Sequence, residues 1–290
     1  MERPDRTKVV PNIEKLDTAK PPSTRSLLAR LGSAAVLIPV VLSAVHYGGR
    51  WFSAVVAFAC IVMIFEWTRM VERKECSASF YVLSFGATAA MFAAPSGAFV
   101  LAYSLCAASG ALAFILAKRG GGLGLWPALA AIYILAPSVA LMWLRLDADH
   151  GRALTFMLFF IVWAADTGAF ITGKLIGGPK INYALSPSKT WAGIGGGVIG
   201  GSIIGGLTAV YAFGLAEAAI FLVIGGVLGA ASVAGDLAES AAKRNFGLKD
   251  ISGFIPGHGG ALDRMDGMIF STVAMTSGYF IYMIAGKGQG

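Results

Sequence analysis

Charged residues are scarce in this sequence. They make up 13% of the 290 residues, about half of the roughly 25% found in ordinary soluble domains. Hydrophobic residues make up 56%, and so few charged side chains cannot cover the surface of a soluble protein of this length. The composition therefore excludes a soluble globular enzyme and a disordered chain, and it indicates a polytopic membrane protein.

Cysteine is also scarce. The three cysteines, Cys60, Cys76 and Cys106, have no close spacing and form no CxxC motif. A disulfide framework or a zinc site needs more cysteines or closer ones. We therefore interpret all three as small apolar side chains.

Apolar runs long enough to cross a bilayer recur along the chain. A transmembrane helix needs about 20 mostly apolar residues, and we count about nine such runs. They follow a polar, proline-containing segment, 1–26, that is predicted to be a disordered cytoplasmic tail. We predict an all-α, polytopic fold with two transmembrane regions, 27–150 and 151–290. The predicted spans are 28–47, 51–70, 79–94, 97–117, 123–143, 153–175, 191–213, 215–242 and 265–286.

Basic residues fall mainly on one side of this predicted topology. With a cytoplasmic N-terminus, 19 of the 23 Lys and Arg residues lie on the cytoplasmic side, and only Arg50, Arg145, Arg152 and Lys287 lie outside. An excess of Lys and Arg marks the cytoplasmic loops of membrane proteins. We therefore predict a cytoplasmic N-terminus. The same distribution accounts for the net charge of +7 without a nucleic-acid partner.

Glycines recur four residues apart in the stretch 191–206. Gly193, Gly197 and Gly201 show this spacing. Small residues at such intervals let helix backbones approach closely. A phosphate-binding loop is the alternative, but the stretch has no GxxxxGK[ST] pattern and no preceding strand pattern. We predict a face for helix packing.

Acidic residues at membrane depth are costly and are therefore candidates for function. Asp236, Glu239 and Lys243 lie on one stripe of a helix, and Asp263 and Asp266 share a face of the next one. Converging carboxylate oxygens suit Mg²⁺ better than zinc. Salt bridges to the adjacent lysine and arginine side chains are the alternative. The acidic residues at this depth are Glu66, Asp166, Asp236, Glu239, Asp263 and Asp266.

Two polar segments have the composition of phosphate-binding sites. The loop after the first carboxylate stripe contains Lys249, His258, Gly259 and Gly260. Basic side chains and accessible backbone N–H groups both bind phosphate oxygens. Lys189 precedes a predicted helix, whose positive end also favours anions. A structural role for His258 and an anchor at the membrane interface for Lys189 are the alternatives.

The run from Ser240 to Asp266 resembles the signature of the phosphatidate cytidylyltransferases, also called CDP-diacylglycerol synthases. It reads SAAKRNFGLKDISGFIPGHGGALDRMD, with Ala242 and Ala261 in place of bulkier apolar residues. The upstream segments DTG at 166–168 and SPSKTW at 186–191 are similar to the same family. Ala192 replaces a Glu that is frequent there, so any role of that carboxylate is absent.

The resemblance implies a reaction of CTP with phosphatidate that gives CDP-diacylglycerol and pyrophosphate. It implies in-line attack of the lipid phosphate on the α-phosphorus of CTP, assisted by Mg²⁺, alone or with a monovalent cation such as K⁺. It also implies a multi-pass enzyme of the inner (plasma) membrane, embedded in the lipid bilayer, which forms homodimers and has its active site on the cytoplasmic side.

Residue roles are implied at the matching positions. Asp236 and Asp263 are the implied first metal ligands, with Asp266 as a further ligand. The basic residues are implied to hold the CTP phosphates or the leaving pyrophosphate. The implied catalytic residues are Asp236, Lys243, Lys249, Asp263, Arg264 and Asp266. The implied substrate-binding residues are Ser186, Lys189, Thr190, Ser240, Arg244, His258, Gly259 and Gly260.

Two other classes of membrane protein share some of these features. Intramembrane Asp residues beside glycine-broken helices are also typical of secondary transporters. The polar residues here, however, crowd one predicted membrane face rather than the midplane. Another lipid-phosphate transferase, such as a prenyl-phosphate sugar transferase, would use a UDP-sugar. The nucleotide requirement therefore discriminates between these enzymes.

Overall fold

A computed structural model describes residues 24–122, 124–146, 148–182, 186–248 and 259–287. Within these ranges the chain forms nine helices and one two-stranded hairpin, and eight of the helices are long and apolar enough to cross a membrane. The prediction of an all-α polytopic membrane protein is confirmed. The helices are α1 (Thr24–Tyr47), α2 (Gly49–Glu72), α3 (Ala78–Ala93), α4 (Phe99–Arg119), α5 (Leu125–Leu146), α6 (Gly151–Leu175), α7 (Trp191–Phe213), α8 (Ala218–Asn245) and α9 (Leu262–Lys287).

The short third span has local signals at both ends. The Ser77 hydroxyl accepts a hydrogen bond from the Phe80 N–H at 3.2 Å and so caps the start of α3. After α3, a short 3₁₀ turn, Ala94–Ser96, contains Pro95, and Gly97 follows with φ +75°. Glycine adopts this left-handed conformation without steric cost. The third and fourth spans are therefore separated at residues 97 and 98.

A π-helical turn, which is wider than an α-helical one, lies within α5. Residues Ala131–Leu135 form a π-helical turn immediately before the segment that contains Pro137. Proline has no N–H to donate to the preceding turn, and its ring clashes with the carbonyl there. Neighbouring side chains compensate for such irregularities at membrane depth. The helix continues as one span that includes both Pro127 and Pro137.

Large apolar side chains fill the core around α2, α5 and α6. These side chains are completely or almost completely buried, as expected for close-packed interior positions. Examples are Met63 and Ile64 of α2, Ile134 and Met142 of α5, and Leu158 of α6.

Glycines occupy the positions at which α6, α7 and α8 pack against one another. A Cβ atom on Gly200 of α7 would lie 2.6 Å from the Ala164 carbonyl oxygen of α6, and one on Gly201 would lie 2.5 Å from the Gly225 carbonyl oxygen of α8. Larger side chains would force these backbones apart. The predicted packing role of the glycine-rich stretch is confirmed.

A short antiparallel hairpin joins α6 to α7. Its strands are β1 (Lys180–Asn182) and β2 (Ser186–Thr190), with Lys180 opposite Thr190. The prediction that no strand precedes the glycine-rich stretch was therefore wrong, since β2 ends directly before it. The hairpin brings Lys189 directly to the start of α7. At this end of the bundle α6 and α8 finish while α7 and α9 begin.

Candidate active site

A cavity of about 520 Å³ lies at this end of the bundle. Its volume falls within the range of small-molecule binding sites, roughly 300–1,000 Å³. Among the described residues, five carboxylates and four basic side chains line it, together with apolar residues of α6, α7 and α8. The charged residues are Asp166, Lys174, Lys189, Asp236, Glu239, Lys243, Asp263, Arg264 and Asp266.

Helices α8 and α9 supply most of this charge. Asp236, Glu239 and Lys243 lie on one face of α8, and Asp263 and Asp266 lie in the first turns of α9. The structure therefore brings together the two carboxylate groups that helical spacing had placed on separate helix faces. They meet because α8 ends and α9 begins at the same end of the bundle.

Three of the carboxylates form a tight cluster. One oxygen from each of Asp236, Glu239 and Asp266 lies within 4.8 Å of the others. Glu239 is 1% exposed, and its Oε1 accepts no hydrogen bond from the part of the chain that the structure describes. A buried carboxylate oxygen without a partner is costly. An oxygen-only donor set with an unsatisfied buried oxygen fits a hard divalent cation such as Mg²⁺.

Asp263 lies beside this cluster, where it contacts Glu239 and a lysine. It forms an ion pair with the Lys243 ammonium group and accepts a hydrogen bond from the Gly260 N–H at 3.2 Å. Lys243 also pairs with Glu239 at 2.7 Å. One cation thus connects carboxylates of α8 and α9. The salt-bridge alternative considered for Asp263 is the contact that the structure records, and its role as a metal ligand stays a prediction.

Lys189 reaches the cluster from the hairpin. Its ammonium group pairs with Asp236 of α8. The next residue, Thr190, caps α7, since its hydroxyl oxygen accepts a hydrogen bond from the Gly193 N–H at 3.1 Å. This cap fixes the direction in which the chain enters α7. Lys189 is therefore held at the junction of a strand and a helix, with its charge inside the cavity.

The remaining predicted residues have different positions. Thr190 also lines the cavity, but among the described residues the lining does not include Ser186, Ser240 or Arg244. Ser188 lines it instead of Ser186. Gly259 has φ +85°, a conformation that favours glycine. Lys249 and His258 lie outside the described residues.

Sequence reasoning assigned no role to several cavity residues. Asp166 of α6 accepts a hydrogen bond from the Ser232 hydroxyl of α8 at 3.1 Å. Phe170 and Gly173 lie one and two helical turns further along α6, and all three line the cavity. Their helical spacing is the signal that could have identified this face. Glu239 was placed on the same helical stripe as Asp236, but it was not among the implied metal ligands.

The fold and this cavity define an integral membrane protein with a charged site set into one end of its helix bundle. Residues 28–282 match the cytidylyltransferase family. The chain is 33% identical to a phosphatidate cytidylyltransferase of Brucella suis, over 84% of this chain and 90% of the relative. It is 30% identical to the enzyme of the same name in Haemophilus influenzae, over 89% of this chain and 100% of the relative.

A third relative, the phosphatidate cytidylyltransferase of Pseudomonas aeruginosa, is 30% identical over 87% of this chain and 98% of its own length. These matches extend over both transmembrane regions, well beyond the signature that first indicated the resemblance. The chain belongs to the cytidylyltransferase family, and it is a nucleotidyltransferase of the membrane.

Proposed function

We propose that this chain transfers the cytidylyl group of CTP to phosphatidate, forming CDP-diacylglycerol and releasing pyrophosphate. The observation that carries the proposal is the cavity between α6, α7, α8 and α9. Within the part of the chain that the structure describes, its lining combines nine charged side chains with apolar ones such as Phe170 and Ile194. Charged groups suit phosphates, and apolar groups suit the glycerolipid. The names of the relatives support the same pair of substrates.

The proposed reaction needs charge neutralisation more than a strong base. A phosphate oxygen of the lipid attacks the α-phosphorus of CTP, the bond from that phosphorus to the β-phosphate oxygen breaks, and pyrophosphate leaves. The attacking phosphate is already an anion. Catalysis of such a transfer depends on positioning and electrostatic stabilisation. Lys189, Lys243 and Arg264 lie in the cavity and would hold phosphate oxygens.

Asp236, Glu239 and Asp266 would hold the Mg²⁺ ion. When bound, Mg²⁺ neutralises charge on phosphate oxygens and orients them. Glu239 enters the proposed ligand set because its buried oxygen lacks a hydrogen-bond partner within the described residues. Asp263 enters the proposal chiefly as the partner that orients Lys243. A monovalent cation such as K⁺ remains an expectation from the family resemblance.

The direct test is pyrophosphate release by the purified protein in detergent, with CTP, phosphatidate and Mg²⁺ together and with each omitted in turn. We expect release only in the complete mixture. A parallel reaction with a UDP-sugar and a prenyl phosphate is expected to be inactive. Turnover in that second mixture without turnover of CTP would contradict the proposal and favour a prenyl-phosphate sugar transferase. Absence of turnover of CTP by folded protein would also contradict the proposal.

A further inference from the structure

A buried carboxylate of the N-terminal region contacts the start of α9. Glu66 lies on α2 and is 0% exposed. Its Oε1 accepts a hydrogen bond from the Ala261 N–H at 2.9 Å, and its Oε2 accepts one from the Leu262 N–H at 2.7 Å. The N–H groups at a helix start have no acceptor within the helix. Glu66 therefore caps α9 from a different helix.

The local sequence at the start of α9 offers no side chain for this task. Helices are usually capped by Ser, Thr, Asp or Asn at the position before the first helical residue. That position is occupied here by Ala261, and Gly260 precedes it. An external carboxylate supplies the missing acceptor, and its negative charge is also favourable at the positive end of the helix dipole.

The capped turn is the one that carries the cavity residues of α9. A Cβ atom on Gly260 would lie 3.0 Å from Glu66 Oε2 and 3.1 Å from Asp263 Oδ2. Glu66 and Asp263 thus approach the same backbone segment, and the Gly260 N–H donates to Asp263. A shift of Glu66 would move this segment, and Asp266 follows within the next turn of α9.

We propose that Glu66 is a positioning residue for the carboxylate cluster. Through the backbone of Ala261 and Leu262 it sets where the first turn of α9 lies, and so holds Asp266 within reach of Asp236 and Glu239. The inference rests on the proposed function only in taking this cluster as the Mg²⁺ site. It assigns a task to a residue of α2, outside the signature and far from it in sequence.

The test compares Mg²⁺ binding by wild type and Glu66→Gln in detergent, without nucleotide or lipid. Binding is measured as the rise in thermal unfolding temperature with increasing Mg²⁺ concentration. The glutamine amide group would place a donor against a backbone donor. We expect the half-saturating Mg²⁺ concentration to rise about 10-fold or more, as is typical when a partner behind the metal ligands is lost. At saturating Mg²⁺ the KM for CTP should change little, whereas kcat should fall.

Two pairs of variants separate positioning from general stability. Thr68→Val removes another completely buried polar group of α2, which donates to the Ile64 carbonyl of its own helix. It should lower the unfolding temperature without changing the Mg²⁺ requirement. Gly260→Ala disturbs the Glu66 contact from the α9 side and should raise that requirement. Gly278→Ala, in the same helix with no described atom within 4 Å of the added carbon, should leave it unchanged.

An unchanged Mg²⁺ requirement in folded Glu66→Gln would overturn the inference. If Glu66→Gln does not fold, an unchanged requirement in Gly260→Ala would overturn it instead. Absence of any Mg²⁺ effect on wild type would overturn it as well. If the requirement shifts as expected while wild type releases no pyrophosphate from CTP, the inference stands and the proposed function fails.

Discussion

Lys243 forms ion pairs with carboxylates of two different helices in the cavity. Its ammonium group contacts Glu239 of α8 and Asp263 of α9, and all three side chains are largely shielded from water. Removal of one partner from a buried ion pair is strongly destabilising, whereas a complete pair contributes little net stability. We infer that the network helps to fix the relative position of the two helix ends.

Asp236 and Asp266 lie beside this network, and their substitution tests metal binding at the carboxylate cluster. Asparagine keeps the shape of aspartate but removes its charge. Asp236→Asn should yield folded protein that no longer gains stability from Mg²⁺, with activity reduced roughly 10³-fold or more. Asp266→Asn should show a milder version of the same effect. Thermal unfolding with and without Mg²⁺, and turnover per folded protein, are the measurements.

Both Asp236 and Asp263 pair with a lysine, but the Asp236 side chain is 48% exposed whereas that of Asp263 is only 19% exposed. Asp263→Asn should therefore cost more stability than Asp236→Asn. We expect a loss of about 3–5 kcal/mol in unfolding free energy without Mg²⁺, with stabilisation by Mg²⁺ retained. Asp149→Asn, at an exposed position outside the cavity, is the control and should have no such effect. If Asp263→Asn instead keeps its stability and loses the response to Mg²⁺, Asp263 is a metal ligand as the sequence predicted.

Helix α7 packs closely against its neighbours because glycines on two of its faces have no side chain. Glycines at four-residue spacing bring its backbone against α6 on one side and α8 on the other. That contact holds the start of α7, with Thr190 and Lys189 before it, next to the end of α8. The ion pair between Lys189 and Asp236 depends on this close approach.

Two Gly→Ala substitutions within α7 should have opposite effects. A Cβ atom on Gly201 would lie 2.5 Å from the Gly225 carbonyl oxygen, so Gly201→Ala should destabilise the protein by about 1–3 kcal/mol. Gly195 has no described atom within 4 Å of an added Cβ. Gly195→Ala should be neutral or stabilising by up to about 1 kcal/mol, since Ala favours a helix over Gly. Thermal unfolding in detergent measures both, and equal effects would contradict the packing role.

Helical spacing predicted the helices that form the site, but it did not predict most of the contacts between them. The stripe containing Asp236, Glu239 and Lys243 could be read from its spacing alone. The hairpin could not, because strands of three and five residues give no clear alternating pattern, and with it the pairing of Lys189 was missed. The contact of Glu66 with α9 joins residues 195 apart, which no local pattern reports.

At the scale of the whole molecule, hydropathy predicted the number of helices and most of their limits. The segmentation succeeds because every backbone polar group in a bilayer must be satisfied within its own helix. Details set by tertiary contacts were not predictable, such as the π-helical turn Ala131–Leu135. The division into 27–150 and 151–290 and the cytoplasmic N-terminus stay predictions.

One basic residue on the predicted outer side has a structural explanation. Arg145 donates hydrogen bonds to the carbonyl oxygens of Val45 at 2.6 Å and His46 at 3.0 Å. Both carbonyls belong to the last turn of α1, where acceptors lack partners within the helix and a cation is favourable. Arg145 is therefore retained on that side by helix capping, and it does not weaken the orientation predicted from the other basic residues.

The orientation can be tested with a native cysteine and one that is introduced. Cys76 is exposed between α2 and α3, whereas Cys60 and Cys106 are buried. Three candidate membrane spans, α3, α4 and α5, separate Cys76 from the exposed Asp149, so we predict that the two positions lie on opposite sides of the membrane. An impermeant thiol reagent should label Asp149→Cys in a Cys76→Ser background in intact spheroplasts, and wild-type Cys76 only after permeabilisation.

The expected labelling pattern follows from the charges near each position and from the substrate. Arg69, Arg73 and Lys74 precede Cys76, and an excess of basic residues marks the cytoplasmic side. CTP is made in the cytoplasm, and the cavity lies on the same predicted side as Cys76. The reverse pattern would turn the cavity away from CTP and contradict the proposed function. Labelling of both positions in intact spheroplasts would mean that α3, α4 or α5 does not cross the membrane.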